Sequence, residues 1–288
     1  MTKRKVEICV LSDLHLGTFG CHAEDICDYL SSIKPEILVL NGDIIDIWQF
    51  KKSYFPASHM QVIRKIMKMA EKGTQVYYIT GNHDEALRKY SGTQMGNIVL
   101  DDKLILNVNG QKVWFFHGDI FDATTKGSAK ILAKLGGKGY DFLIWLNHQI
   151  NRFLEFMDKE KMSLSKKVKD SVKQAVSWIS NFEETAAQLA IQEGYDIVCC
   201  GHIHQPQDRI IKVSEKSVRY LNSGDWIENL TSLEFEDGKW KIYKHQPMSR
   251  IQKNEFKNSL KDLEGVTFPT VLPNASNRDL ESSLVAFT

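Results

Sequence analysis

Short apolar runs rich in β-branched residues recur at Val6–Leu11, Ile37–Leu40, Gln75–Thr80 and Asp196–Cys200. Each breaks at once into a polar cluster: SDLH, NGD, GNHD and GHIH. Between the first three runs lie two stretches of helical periodicity. One spans Ala23–Ile33 and is closed by Pro35; the other spans Ala57–Lys72, with Val62, Ile63, Ile66, Met67 and Ala70 on one stripe and Gly73 as its stop. The order predicts βαβαβ and therefore parallel strands. The style then changes. Leu104–Val108 and Lys112–Phe116 flank Asn109-Gly110, a strong hairpin signal. Further short strands are expected at Arg209–Val213, Val218–Leu221, Leu233–Phe235 and Trp240–Tyr243, the last two turning at Asp237-Gly238. The sum is a layered α/β fold with mixed sheets.

Two regions depart from this plan. From about residue 123 to 195 the strand signal vanishes. Leu164, Val168, Val172, Val176, Ile179, Ala186 and Leu189 make a helical stripe there, preceded by the aromatic-rich segment Phe142–Met157. This reads as a helical insert within a domain of residues 1–250. Residues 251–288 are polar with few periodic apolar positions, and read as an extension that wraps the surface or is disordered.

Composition narrows the class. A chain of 288 residues, 42% hydrophobic, can bury a large core, and a net charge of +1 gives no global pull toward nucleic acid. The five cysteines include no paired CxxC spacing, which argues against a disulfide framework or a zinc ribbon and fits a reducing cytoplasm. The start, MTKRK, passes directly into an apolar run that ends in a carboxylate, so no secretory signal is expected. No apolar run approaches the roughly 18 residues of a spanning helix, so any membrane contact is expected to be peripheral.

The candidate chemistry lies in the clusters. Asp13 and His15, one residue apart, would project to the same side of an extended strand end, and His202 and His204 repeat the spacing. Asp43, Asn82 and His117 fall singly beyond their runs, each beside a glycine. In open α/β sheets ligands gather outside the carboxyl ends of strands. Carboxylate, imidazole and amide donors without thiolate suit Mn, Fe, Zn or Co. A carboxylate shared by two cations about 3.5 to 4 Å apart clamps the attacking and leaving oxygens of a phosphoryl displacement. Cys9, Cys199 and Cys200 read as small buried core residues, and Trp114, Phe115 and Phe116 as a strand packed on both faces.

The series DLH, GD, GNHD, HG and GHIH resembles, in that order, the calcineurin-like metallophosphoesterases over roughly residues 6 to 245. The resemblance implies a sandwich of two mixed β-sheets flanked by helices, with the insert as a lid. It further implies that Asp13, His15 and His204 hold one divalent ion, that Asn82, His117 and His202 hold another, and that Asp43 bridges them. Mn is the first expectation, with Fe, Zn or Co also suited. His83 would protonate the leaving oxygen, with Asp84 orienting it.

For the substrate, the insert is informative because it is basic. Between Lys126 and Lys173 stand eleven Lys/Arg against five Asp/Glu, a local +6. Lys126, Lys130, Lys134 and Lys138 recur every four residues, as one face of a helix does; a solvated face is the plain alternative. Asp122, Lys126, Lys130, Lys166 and Lys167 are the substrate-binding candidates. The run Phe142–Leu146 reads either as a buried hairpin or as a chamber for acyl chains or a peripheral membrane contact. GDIIDIW with Trp48, the insert after HGD, and SGDW with Trp226 resemble the UDP-2,3-diacylglucosamine pyrophosphohydrolase branch. That branch implies cleavage of a nucleotide-linked glycolipid into 2,3-diacylglucosamine 1-phosphate and UMP, in the cytoplasm at the inner membrane surface of a Gram-negative bacterium. GNHD, by contrast, resembles the wider phosphoesterases, which keeps a general phosphodiesterase or phosphomonoesterase in view. A non-catalytic scaffold of the same fold, similar to the retromer subunit, is the third reading, and the intact His83 and ligand set stand against it. No nucleic-acid partner is expected.

Overall fold

Strand β1 (Arg4–Leu11) is the axis on which the first sheet is laid down. Chain order then runs through α1 (Ala23–Ser32), β2 (Ile33–Asn41), α2 (Ala57–Glu71) and β3 (Gln75–Ile79). β1, β2 and β3 pair in parallel, as the two crossover helices require. The short strands β4 (Thr93–Met95) and β5 (Ile98–Asp101) extend that edge, β5 parallel to β3 and β4 antiparallel to β5. At the other edge stand β11 (Thr231–Glu236), antiparallel to β1, and β12 (Lys239–Lys244), antiparallel to β11. The seven strands have the order β12-β11-β1-β2-β3-β5-β4.

The second sheet holds five strands in the order β6-β7-β8-β10-β9. β6 (Lys103–Val108) and β7 (Gln111–Phe116) form the hairpin, with Asn109 and Gly110 both at positive φ, as its two-residue turn demands. β7, β8 (Ile197–Cys200) and β10 (Lys216–Asn222) are parallel, and β9 (Gln207–Val213) closes the edge antiparallel to β10. The structure described here is a computed structural model covering residues 3–47, 54–121, 179 and 181–261.

Alternation along the strands builds two hydrophobic layers. Val10, Val39, Ile79, Phe115, Ile197, Cys199, Leu221 and Trp240 fill the space between the sheets. Trp114, Phe116, Val198, Cys200 and Tyr220 point out of the second sheet, where a helix over residues 181–192, α3, covers them with Phe182, Ala186, Ala187 and Ala190. The run Trp114–Phe116 is thus buried on both faces. All five cysteines are buried and free, and burial pushes the Cys9 thiol up to about 12.

Several expectations shift. α1 ends at Ser32 and runs directly into β2, so Pro35 lies inside a parallel strand opposite Val6 and does not serve as a helix stop. Pro35 keeps its carbonyl useful there, accepting from the Thr74 hydroxyl at 2.9 Å. On α2 the buried stripe is Val62, Ile66, Met69 and Ala70, with Met67 55% exposed. β4, exposed throughout, and β5, only four residues long, were not anticipated. The chain divides into two units, Met1–Ser249 and Arg250–Thr288. The second opens with a helix, α4 (Arg250–Lys261), at the start of the polar extension. Its apolar residues are too sparse to mark a stripe. Among the described residues no helix is long and apolar enough to cross a membrane.

One buried histidine bears on pH stability. His59 on α2 is 3% exposed, and its Nδ1 accepts the Gly17 amide at 2.9 Å, so the ring must be neutral there. Burial holds its pKa near 4 against an ordinary 6.5. As pH falls the unfolded chain takes up the proton first, so this contribution is complete above pH 6.5 and is lost toward pH 4. Denaturant titrations across that window are expected to show a shallower loss of stability for His59→Asn, whose amide oxygen can still accept from Gly17. Equal slopes for variant and wild type would refute the assignment.

Candidate metal centre

Six parallel strand ends from both sheets meet at one rim, and every candidate ligand follows one of them. Ser12–His15 follow β1, Asp43 follows β2, Asn82 and His83 follow β3, His117 follows β7, His202 and His204 follow β8, and Asp225 follows β10. Backbone hydrogen bonds stitch these turns together. The Asp13 and His15 amides donate to Gly42 and Asp43 carbonyls at 3.0 and 2.9 Å, Gly201 donates to His117 at 2.9 Å, and Ile47 donates to His83 at 3.0 Å. The two sheets are joined by buried Asn41, whose amide donates to Phe116 and Cys199 carbonyls at 3.1 and 3.4 Å.

The backbone at the ligands is not extended. Asp13, His15, Asp43, His202 and His204 all have φ between 48° and 67°, in the left-handed region. Asp, Asn and His tolerate that region better than other side chains, and such strain concentrates at functional sites. Asp13 and His15 therefore converge through a coiled turn, where an extended strand end was expected. The glycines allow close approach. A methyl group on Gly81 would collide with the Asp43 carboxylate, and one on Gly42 with the His117 ring.

Side chains gather into overlapping groups with donor atoms within 4.8 Å of one another: Asp13, His15 and His204; Asp43, His117 and His202; and His15, Asp43 and His83. Asp43 links them. Its Oδ2 lies 3.2 Å from His117 Nε2 and 4.0 Å from His15 Nε2, while its Oδ1 accepts the His83 amide at 2.8 Å. His15 and His204 face each other, Nε2 to Nε2, at 3.4 Å.

The cluster calls for positive charge. Burial would raise the Asp43 carboxyl, yet the charge and hydrogen bonding of His117 hold it well below the usual range. Burial likewise works against protonation of His117, but facing Asp43 and Asp13 raise that ring to about 10. Asp13 is depressed and His204 raised by the same opposition. Asp13 Oδ1 and His117 Nε2 are shut off from solvent and face only His204 and Asp43, each at 3.2 Å, while Asn82 Oδ1 is shut off from solvent without a hydrogen bond. Buried polar atoms converging in this way from three segments fit a cation-binding set of mixed oxygen and imidazole donors, in which a cation takes the place of the imidazole protons.

Behind the rings sit groups that the sequence did not single out. Asp46, fully buried, lies 2.9 Å from His83 Nδ1 and 3.4 Å from His15 Nδ1. Its own pKa falls to about 2: burial would raise it, but hydrogen bonds to the two histidines prevail. Burial would lower His83, while the Asp46 hydrogen bond and the Asp43 charge raise it. Asp225 lies 3.4 Å from His204 Nδ1, and His117 Nδ1 meets the Asn41 carbonyl at 3.0 Å. The Asp84 oxygens accept from Gly81 and Ile44 amides at 2.6 and 3.0 Å and from the Tyr78 hydroxyl at 2.6 Å, which shapes the loop that carries His83, while Asp46 is the carboxylate at the His83 ring. The spacing of Asp43 and Asp46 in GDIID was the available signal for the latter. Trp48, Asp122, Lys126, Lys130, Lys166, Lys167 and the Phe142–Leu146 run lie outside the described residues.

A family model described as Calcineurin-like phosphoesterase matches residues 6–206. A UDP-2,3-diacylglucosamine hydrolase of Aliivibrio fischeri (strain MJ11) is 26% identical over 255 residues, covering 87% of this chain and 99% of that protein. Another of the same description, from Chromohalobacter salexigens, is 25% identical over 221 residues, covering 75% and 87%. Among solved structures, Yfce, a phosphoesterase from E. coli, is 13% identical with a TM-score of 0.40, covering 84% of this chain and 99% of that one.

The approach of Gly81 to Asp43 can be probed directly. Gly81→Ala lies after β3 is complete, so folding should survive while the Asp43 carboxylate is displaced. Manganese titration by calorimetry is expected to show binding weakened by about 10-fold or more, in the range of disturbed ligand shells. Unchanged affinity would mean that this contact does not position Asp43.

Proposed function

This chain belongs to the calcineurin-like phosphoesterase family, and from that premise we propose that it uses two divalent ions to cleave the diphosphate of a UDP-2,3-diacylglucosamine-like glycolipid. That it is a metal-dependent hydrolase of phosphoester or diphosphate bonds follows from the family and its relatives. The observation that carries the two-ion reading is Asp43 Oδ2, which stands between the His15 side and the His117 side of the cluster. Asp13, His15 and His204 would hold one ion and Asn82, His117 and His202 the other. Manganese is the proposed ion. When bound, such a pair supplies Lewis acidity toward phosphoryl oxygens and lowers the pKa of water.

The chain's own residues carry the rest. His83, 15% exposed and raised in pKa, is the group to protonate the departing oxygen. Its Nδ1 is occupied by Asp46, so the transferable proton is on Nε2. Asp46 also stabilises the charged ring before transfer. The long match to UDP-2,3-diacylglucosamine hydrolases supports the lipid-linked substrate. Its products would be UMP and 2,3-diacylglucosamine 1-phosphate, made in the cytoplasm by peripheral contact with the inner membrane surface. The basic insert, with Asp122, Lys126, Lys130, Lys166 and Lys167, is the proposed substrate-binding region.

Manganese-loaded protein is expected to release UMP from UDP-2,3-diacylglucosamine in mixed micelles. Asp43→Ala should abolish turnover, and His83→Gln should lower kcat by about 10² to 10⁴. Hydrolysis of small chromogenic diesters without release of UMP would replace the glycolipid by a simpler phosphodiester. Loss of both activities with manganese bound would favour the scaffold.

A further inference from the structure

The loop after β10, SGDWIENL at residues 223–230, reaches back to the first ligand group at several points. Ser12 and Ser223 hydroxyls meet at 2.7 Å, and Ser12 also donates to the Gly224 carbonyl at 2.9 Å. The Trp226 amide donates to the Asp13 carbonyl at 3.2 Å, and the Asn229 side-chain amide donates to the His204 carbonyl at 2.7 Å. At the centre is Asp225, fully buried.

The two oxygens of Asp225 have different work. Oδ1 accepts three backbone amides, from Ile227, Glu228 and Asn229, at 2.9, 2.7 and 3.0 Å. Those bonds close the turn. Oδ2 accepts the Asn229 side chain at 2.9 Å and lies 3.4 Å from His204 Nδ1. His204 Nε2, at the opposite corner of the same ring, lies 3.2 Å from Asp13 Oδ1.

We propose that Asp225 is a positioning residue that fixes the tautomer of His204, keeping the proton on Nδ1 and the Nε2 lone pair toward the cation shared with Asp13 and His15. A neutral imidazole has one protonated nitrogen, and the acceptor behind the ring selects which one it is. The loop thus sets how tightly one ion of the pair is held. This rests on the two-ion reading above.

Asp225→Asn separates the two jobs. The amide oxygen can take over the three turn bonds, while the amide nitrogen gives up the bond accepted from the Asn229 side chain, presents a donor to His204 Nδ1 and drives the ring proton to Nε2. The fold is expected to persist, with a melting temperature lowered only by the lost Asn229 side-chain bond. Calorimetric manganese titration should give one site of wild-type affinity and one weakened about 10- to 100-fold. Electron paramagnetic resonance at low manganese should change from the signal of a coupled ion pair to that of an isolated ion. Asp225→Ala, which also loses the turn bonds, should in addition melt lower. Two sites of unchanged affinity in Asp225→Asn would overturn the proposal while leaving the two-ion reading intact. A wild-type protein that binds no manganese pair would overturn both.

Discussion

Asp13, Asp43, Asp46, Asp84 and Asp225 are each at most 2% exposed, and all lie at the rim where the strand ends meet. Burying a carboxylate costs several kcal/mol unless hydrogen bonds or opposite charge offset it. Each is offset differently. Asp84 and Asp225 are satisfied largely by backbone amides and so organise loops. Asp46 is satisfied by two imidazoles. Asp13 and Asp43 each have an amide on one oxygen, from His202 and His83, and turn the other toward histidine. The residual demand for positive charge falls on those two, and there the ligand groups assemble. The sandwich below supplies the rigidity, with Asn41 binding one sheet to the other directly beneath His117.

Much of this arrangement was legible because strand ends announce themselves. An apolar run that stops at a cluster such as GNHD tells both where the strand ends and what chemistry begins, and parallel order brings those ends to one side. The hairpin at Asn109-Gly110 and the two-faced strand Trp114–Phe116 were equally plain, since turn chemistry and burial leave local marks. What escaped notice depends on partners distant in sequence. Nothing near Asp225 reveals that its other oxygen meets His204, and Asn41 reads as part of a turn until a second sheet arrives at its amide. The left-handed backbone at Asp13 and His15 escaped for another reason: a two-residue spacing is compatible with either an extended strand or a coiled turn.

The same division separates reaction from substrate. The residues proposed to bind, orient or protonate sit at strand ends beside a continuous core, so their placement is fixed by packing. The groups expected to choose among phosphoesters belong to the insert between His117 and His202. Helix α3, at the C-terminal end of that stretch, seats Phe182 against Phe121, a few residues from His117.

The left-handed turns at positions 13, 15, 43, 202 and 204 have a consequence for how such a sequence can change over time. Each position is under two independent demands, one for a donor atom and one for a backbone that most side chains resist. If selection for hydrolysis relaxed, only the first demand would vanish. Descendants would then drift toward Asn and Gly at these positions in preference to Ala, Val or Leu, so a lapsed enzyme of this type would keep the turns after losing the ligands.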